Sequence, residues 1–316
     1  APGAAVAAAP AAAHRLLVFP EATGHLVPLA LGPAAARRAR TLADAMAALA
    51  LRRPARVARG ALAARGRSLG HAVLHAVLPA ADAWMRQAFA AIARRHAATV
   101  VAGSHLCVTA GGVVNRSYTF APDGQLVATT DKVNLVPFVE DDREGGLGLR
   151  AGDPARVPVV DCGWGRLATV ICYDGFCEPH TEGERWQPVV PRVDAAGADV
   201  LANPAANPWP WQLGWLHAAP GERVLRHEQW RREGLPASLA RCAHARWGVT
   251  AHLVARVLDL RFEGASEILR RDGDGVHVVA RADAHARGGS VAALADVGAR
   301  AAPAARASSA PPEPTP

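Results

Sequence analysis

Three side chains in this sequence sit where an apolar run gives out, and their chemical types belong together. Glu21 closes "LLVFPE", Lys132 follows "VATTD", and Cys172 stands at the end of "LATVIC". Strand ends are where open α/β folds assemble their sites. A thiol beside a carboxylate has a base for its proton, and an ammonium can face the negative charge that develops as sulfur attacks a carbonyl carbon. That is the equipment of nucleophilic acyl chemistry. Singly the signals are weak: a Glu after a strand is usually a solvated turn residue, and a Cys in an apolar run is usually inert core. Lys132 stands apart because it is the only lysine among the 35 Lys and Arg residues.

The composition explains why that matters. The chain is heavy in Ala, Arg, Gly and Pro, so Lys, Asn, Ile, Tyr and Phe are scarce and mark side chains that were hard to replace. Most of them fall in short windows: Phe19, Asn115 to Phe120, Lys132 to Phe138, Ile171 to Phe176, Asn203 to Asn207 and Phe262 to Ile268. At 316 residues and 50% hydrophobic, the chain can bury a large core.

A net charge of +7 would ordinarily suggest nucleic acid as a partner. The arginines are scattered, however, and neither interleaved aromatics nor a nucleic-acid-binding signature accompanies them. The charge therefore reads as a solvated basic surface, with no nucleic acid expected. The five cysteines are odd in number and lack paired zinc spacing, which suits a reducing, cytoplasmic compartment. The histidines show no metal-ligand spacing, so no metal is expected. No run of about twenty apolar residues is present for a transmembrane span.

The elements that must position the three residues follow from periodicity. "RLLVFPE" reads as a short buried strand, and residues 29–96 as two or three helices broken at Pro54 and near Gly60 to Gly70. "ATVVAGSHL" is one further apolar run. "SYTFAPDGQLVATT" reads as two strands joined at Pro122, Asp123 and Gly124. "RLATVICYDGF", "GADVLANPAANPW", "VTAHLVARVLDLRFEGASEIL" and "GVHVVARAD" supply the later strands. Strands alternating with helices define an α/β domain. It is expected over 14–284, with a helical, basic insertion at about 30–95, an Ala-rich segment over 1–13 and a disordered Pro/Ala/Ser tail over 285–316.

Taken together, "LLVFPE", "NRSYTFAPDGQL" leading into "DKVNLVPFVE", "VICYDGFCEPH", "GADVLANPAANPW" and "FEGASEIL" resemble the nitrilase, or carbon-nitrogen hydrolase, superfamily in order and spacing. The resemblance implies an αββα sandwich, a Glu21, Lys132, Cys172 triad and a thioester intermediate. It also implies no cofactor, a small-molecule amide substrate and a homodimer or higher oligomer. In the implied mechanism Glu21 is the base, Cys172 the nucleophile, and Lys132 stabilises the oxyanion with the backbone N–H of Tyr173. Glu140 matches a supporting glutamate, while Asn203 and Trp209 resemble a pocket-walling loop that continues to Trp211 and Trp215. Cys177, where simple amidases often carry Arg-Phe-Pro-Glu, is expected to pack.

Two departures accompany the resemblance. Few residues precede the Glu21 strand, with no further convincing strand among them, which suggests a missing sheet edge or a misplaced start. The helical stretch after Glu21 is also long. "KVNLVPFVE" is similar to the lysine region of apolipoprotein N-acyltransferases, so an acyltransferase is the alternative to a hydrolase. A non-catalytic nitrilase-like scaffold is a third reading, which the intact triad opposes.

Overall fold

In the computed structural model, described for residues 14–63, 69–142, 146–218, 221–282 and 285–297, two β-sheets stack face to face between outer helices. The Ala-rich segment 1–13 and the end of the expected tail, 298–316, lie outside the described residues.

The first sheet starts with β1 (Leu16–Val18), which pairs in parallel with β2 (Thr99–Val101), Leu17 opposite Val100. Five helices connect them: α1 (Val27–Ala30), α2 (Ala34–Arg37), α3 (Leu42–Leu51), α4 (Pro54–Ala63) and α5 (Leu69–His96). Two or three were expected. The extra pair are single turns, too short to stand by propensity, and packing holds them through buried Val27 and Ala36. Thr41 caps α3 by accepting from the Asp44 N–H at 3.1 Å, and Pro54 opens α4 where its missing N–H costs nothing. On α5, Ala81, Met85, Phe89 and Ala93 recur every fourth residue and bury one face against Val100, Val114, Tyr118 and Phe120.

The run "ATVVAGSHL" is not one strand. It breaks into β2 and β3 (His105–Thr109), because Gly103 turns left-handed with φ +65°. A Cβ there would lie 2.0 Å from the Pro20 carbonyl oxygen, so only glycine lets this turn seat the segment that carries Glu21. β4 (Gly112–Phe120) and β5 (Leu126–Asp131) form the expected antiparallel hairpin, and β4 also pairs with β2 and β3.

The second sheet contains β6 (Val159–Asp161), β7 (Arg166–Thr169), β8 (Val200–Ala206) and β9 (Trp247–Leu253), with β7, β8 and β9 parallel. A separate ribbon, β10 (Ala255–Val257) and β11 (Leu260–Phe262), leads to β12 (Glu267–Asp272) and β13 (Gly275–Arg281), giving the order β13-β12-β9-β8-β7-β6. The stretch "FEGASEIL" is thus split. Phe262 ends β11, and pairing resumes only at Glu267.

Three short helices belong to this half: α6 (Val190–Ala195), α7 (Arg226–Glu233) and α8 (Leu235–Ala240). Val190, Val193, Leu235 and Leu239 cover Ala168, Leu201 and Leu269 on the outer face. Between the sheets, Leu16, Val18 and Val101 meet Leu167, Val200, Ala202 and Trp247. Each fully buried Val or Leu contributes roughly 1.5–3 kcal/mol, so this inner layer is what locks the halves together. Residues 285–297 form no regular element, yet they are not loose at their end. Val297 joins the inner cluster and the Trp247 Nε1 donates to the Asp296 carbonyl at 3.2 Å.

Candidate active site

Glu21 follows β1, Lys132 follows β5, and Cys172 follows β7, so the first sheet supplies two of the side chains and the second supplies the thiol. The structure brings all three into one buried cluster, 4%, 1% and 4% exposed respectively. The Lys132 Nζ donates to Glu21 Oε1 at 2.8 Å and to Glu140 Oε2 at 2.6 Å. An ammonium has three N–H groups, and the third has no partner among the described residues. The Lys132 backbone is itself fixed, donating to the Asn115 carbonyl at 2.8 Å and accepting from the Gly152 N–H at 2.7 Å.

Asn115, inside β4, was not singled out by sequence beyond its scarcity. Its Nδ2 donates to Glu21 Oε1 and to Glu140 Oε1, both at 2.9 Å, and so sets the spacing of the two carboxylates. Glu140 Oε2 also accepts from the Val136 N–H at 3.0 Å. These contacts split the two acids. Burial pushes both upward, but the Lys132 charge, its hydrogen bond and the N–H donors win at Glu140 and hold it below the usual glutamate value. At Glu21, burial outweighs Lys132, the Glu140 charge adds to it, and the net shift is upward. Lys132 would lose its proton affinity on burial alone, yet Glu140 and Glu21 hold it well above the ordinary lysine value. Lys132 pairs with both carboxylates, of which Glu140 is the stronger acid and Glu21 the weaker.

Cys172 opens a 3-10 turn, Cys172–Gly175, with φ +49°, a left-handed conformation that costs a non-glycine residue about 1–3 kcal/mol. Its Sγ donates to the Ala206 carbonyl at 3.6 Å, and the thiol lies close enough to Glu21 that each alters the other's proton affinity. Burial first, and the Glu21 charge second, push the thiol well above its usual value, so at rest it is neutral. The Tyr173 N–H, in the first turn after the sulfur, meets no acceptor among the described residues.

Two residues hold this turn from beneath. Asp174, fully buried, accepts from the N–H groups of Asn134 at 2.7 Å, Val133 at 3.2 Å and Ile171 at 3.3 Å, which ties the Lys132 loop to the Cys172 turn. Two of its three donors, Val133 and Asn134, are about forty positions away in sequence, and nothing in the sequence pointed to it. Asn203 was read as part of a pocket wall, but it is wholly buried and braces the turn instead. Its Nδ2 donates to the carbonyls of Val170 at 2.7 Å and Cys172 at 3.2 Å, and Gly175 is glycine because a Cβ would meet that Nδ2 at 2.9 Å.

Trp209 and Trp211 pack against a cluster that contains Cys172, Tyr173, Phe176 and Trp230, and Trp215 lies edge-on to Trp209 at 5.7 Å. Cys177 is half-buried and bonds through its N–H to the Glu233 carbonyl, while Glu178 is exposed. Among the described residues, one group has the spacing to hold a metal ion: Asp82, His105 and Cys107, whose donor atoms lie within 4.8 Å of one another. Those atoms already bond to each other, with Tyr118 and the Arg86 cation completing the network. No helix among the described residues is long and apolar enough to cross a membrane.

The sequence model of the carbon-nitrogen hydrolase family matches residues 4–221. The chain belongs to that family. No curated protein matches it. Among solved structures it is similar to a mutant of the amidase from Nesterenkonia sp. AN1, at 20% identity and a TM-score of 0.41, with 61% of this chain and 60% of that one covered. It is also similar to a carbon-nitrogen hydrolase from Helicobacter pylori, at 17% identity, a TM-score of 0.47 and 61% of each chain. A third is Saccharomyces cerevisiae Nit3, a member of branch 10 of the nitrilase superfamily, at 18% identity and a TM-score of 0.44, covering 63% of this chain and 60% of that one. The chain thus spans less than two thirds of the length of these proteins.

Proposed function

We propose that the protein is an amidase that hydrolyses a small-molecule amide through a thioester on Cys172. The observation that carries this reading is the buried Lys132 held between Glu21 and Glu140 beside a neutral thiol. In the proposed cycle Glu21 takes the thiol proton as the sulfur attacks the carbonyl carbon. The resulting oxyanion is met by the third N–H of Lys132 and by the free Tyr173 N–H. Glu21 returns the proton to the nitrogen, the C–N bond breaks, and the amine departs. Water then loses a proton to Glu21 and attacks the thioester; the carbon–sulfur bond breaks and the proton returns to Cys172. No cofactor enters this cycle, and a homodimer or higher oligomer follows from the resemblance alone.

The split between the two carboxylates assigns their roles. Glu21, shifted upward by burial, is the carboxylate suited to take up and release a proton, whereas Glu140, held down by Lys132, stays charged to anchor it. Turnover needs Glu21 deprotonated, so kcat/KM is expected to fall as pH drops through a value above the ordinary glutamate 4.5. Removing the Glu140 charge removes an upward push on Glu21. In Glu140→Gln the acidic limb should therefore move to lower pH, with turnover reduced because Lys132 loses one of its two anchors. A limb that stays in place or moves to higher pH, measured over a full pH–rate profile, contradicts this assignment.

The direct test is mass spectrometry after mixing with a panel of amides while following ammonia release. An acyl adduct on Cys172 together with ammonia supports the reading. Absence of adduct across the panel, or an adduct on Cys177, refutes it. An acyl group intercepted by added amine, with no hydrolysis in its absence, would make the protein an N-acyltransferase.

A further inference from the structure

Arg226 opens α7 and is 2% exposed, a rare place for a guanidinium. Its Nε donates to Asn207 Oδ1 at 2.9 Å and its Nη1 to Gln229 Oε1 at 2.7 Å. Both acceptors are uncharged amides. Among the described residues no carboxylate pairs with Arg226, and three of its five N–H groups have no partner. The cation rests on aromatic rings: its Cζ lies 3.9 Å from the Trp215 ring centre, 4.8 Å from Trp209 and 5.7 Å from Trp230. Ring faces attract a cation but offer it no acceptor.

A buried cation without a counter-ion is costly, so its retention calls for a reason. Desolvation lowers its proton affinity to a pKa of about 9; Cys172 and Tyr173 would favour its charge only when deprotonated, and the standing anion in range is Glu233, which bonds to Gln229 and not to Arg226 itself. Cys172 is thus within electrostatic range of the guanidinium. The chain shows how it gets there: Ala206 accepts from the Cys172 thiol, and the next residue, Asn207, accepts from Arg226. His180 and His252 also face Arg226, but burial first and its charge second push them down to about 2 and about 3, so they stay neutral and do not compensate it. The Glu21, Lys132, Glu140 cluster contains its own cation and leaves Arg226 unused. Arg226 also lies beyond the matched residues 4–221, so family membership gives it no role.

We propose that Arg226 anchors a carboxylate carried by the substrate, so that the enzyme takes amides with a negative charge away from the scissile bond. This deepens the amidase reading and rests on it. The planar fork with unfilled N–H groups matches a carboxylate, which can accept two of them side by side. Trp209 and Trp215 would flank the hydrocarbon between the anion and the reacting carbonyl. The rival account is that Arg226 merely braces Asn207 against Gln229, in which case its free N–H groups and its charge serve nothing.

The experiment compares kcat/KM for monoamides of dicarboxylic acids with that for neutral amides of equal chain length, and N-acyl amino acids with their neutral esters, by ammonia or amine release. The first pair places the anion on the acyl side, the second on the amine side. The wild-type enzyme should prefer the anionic member of one pair by about a hundredfold. In Arg226→Gln that ratio should fall to near one, and Arg226→Lys should keep part of it, since charge survives without the fork. No preference in the wild type, or an equal loss on both members in Arg226→Gln, overturns the proposal.

If no amide is turned over, the amidase reading fails, and the anchor is read separately. Glutarate should then slow iodoacetamide labelling of Cys172 in the wild type, and the protection should be lost in Arg226→Gln. Lack of protection in the wild type overturns the anchor as well.

Discussion

Lys132→Arg is expected to fold and to lose turnover by about 10²–10³-fold, the scale on which one oxyanion donor matters. The lysine Nζ sits between carboxylate oxygens at 2.8 and 2.6 Å with its backbone pinned on both sides, and it is 1% exposed. A guanidinium is a broad fork, not a point, and no slack exists to hold it. Its charge would still compensate Glu21 and Glu140, which is why the fold should survive. Lys132→Met is the contrasting case. It leaves two buried carboxylates without their cation and should cost about 3–5 kcal/mol in stability. Circular dichroism with a melting curve separates the two variants; near-normal turnover by Lys132→Arg would remove Lys132 from the oxyanion role.

Glu21→Gln is expected to slow turnover by about 10²–10⁴-fold, the range for loss of a positioned base. Its fold should be retained, because the buried set of Glu21, Glu140 and Lys132 then carries one anion and one cation. The defect should be visible in both half-reactions. Single-turnover acylation of Cys172 and subsequent hydrolysis would each slow, since in the proposed cycle the same carboxylate serves the thiol and then water. The acidic limb of the pH–rate profile should also vanish. A variant that retains that limb would show that another group titrates there.

How much of this was legible follows from the kind of information each residue carries. Glu21, Lys132 and Cys172 could be picked out because each follows an apolar run and because one of them is the chain's only lysine. Asn115 and Asp174 could not be assigned a task. Each acts on partners far away in sequence, Asn115 on Glu21 and Asp174 on Asn134, and strand periodicity says which residues face inward, not what lies opposite. The break at Gly103 has the same origin. Its left-handed turn is dictated by the Pro20 carbonyl, more than eighty positions earlier in the chain. Asn203 was noticed for its type and assigned to the pocket, whereas its two carbonyl contacts place it under the Cys172 turn. Arg226 was lost among many arginines. Only its burial and its lack of a counter-ion set it apart.

The distribution of the site over the two sheets has a consequence for how the protein fails. Glu21 and Lys132 are carried by one layer and Cys172 by the other, and the inner cluster around Val101, Leu167 and Trp247 is what keeps them in register. A species whose layers have parted can retain its helices and hairpins and still possess no nucleophile–base pair. On the proposed function, turnover is thus a local gauge of the seam, and in mild denaturant it should be extinguished while the backbone signal is still close to native.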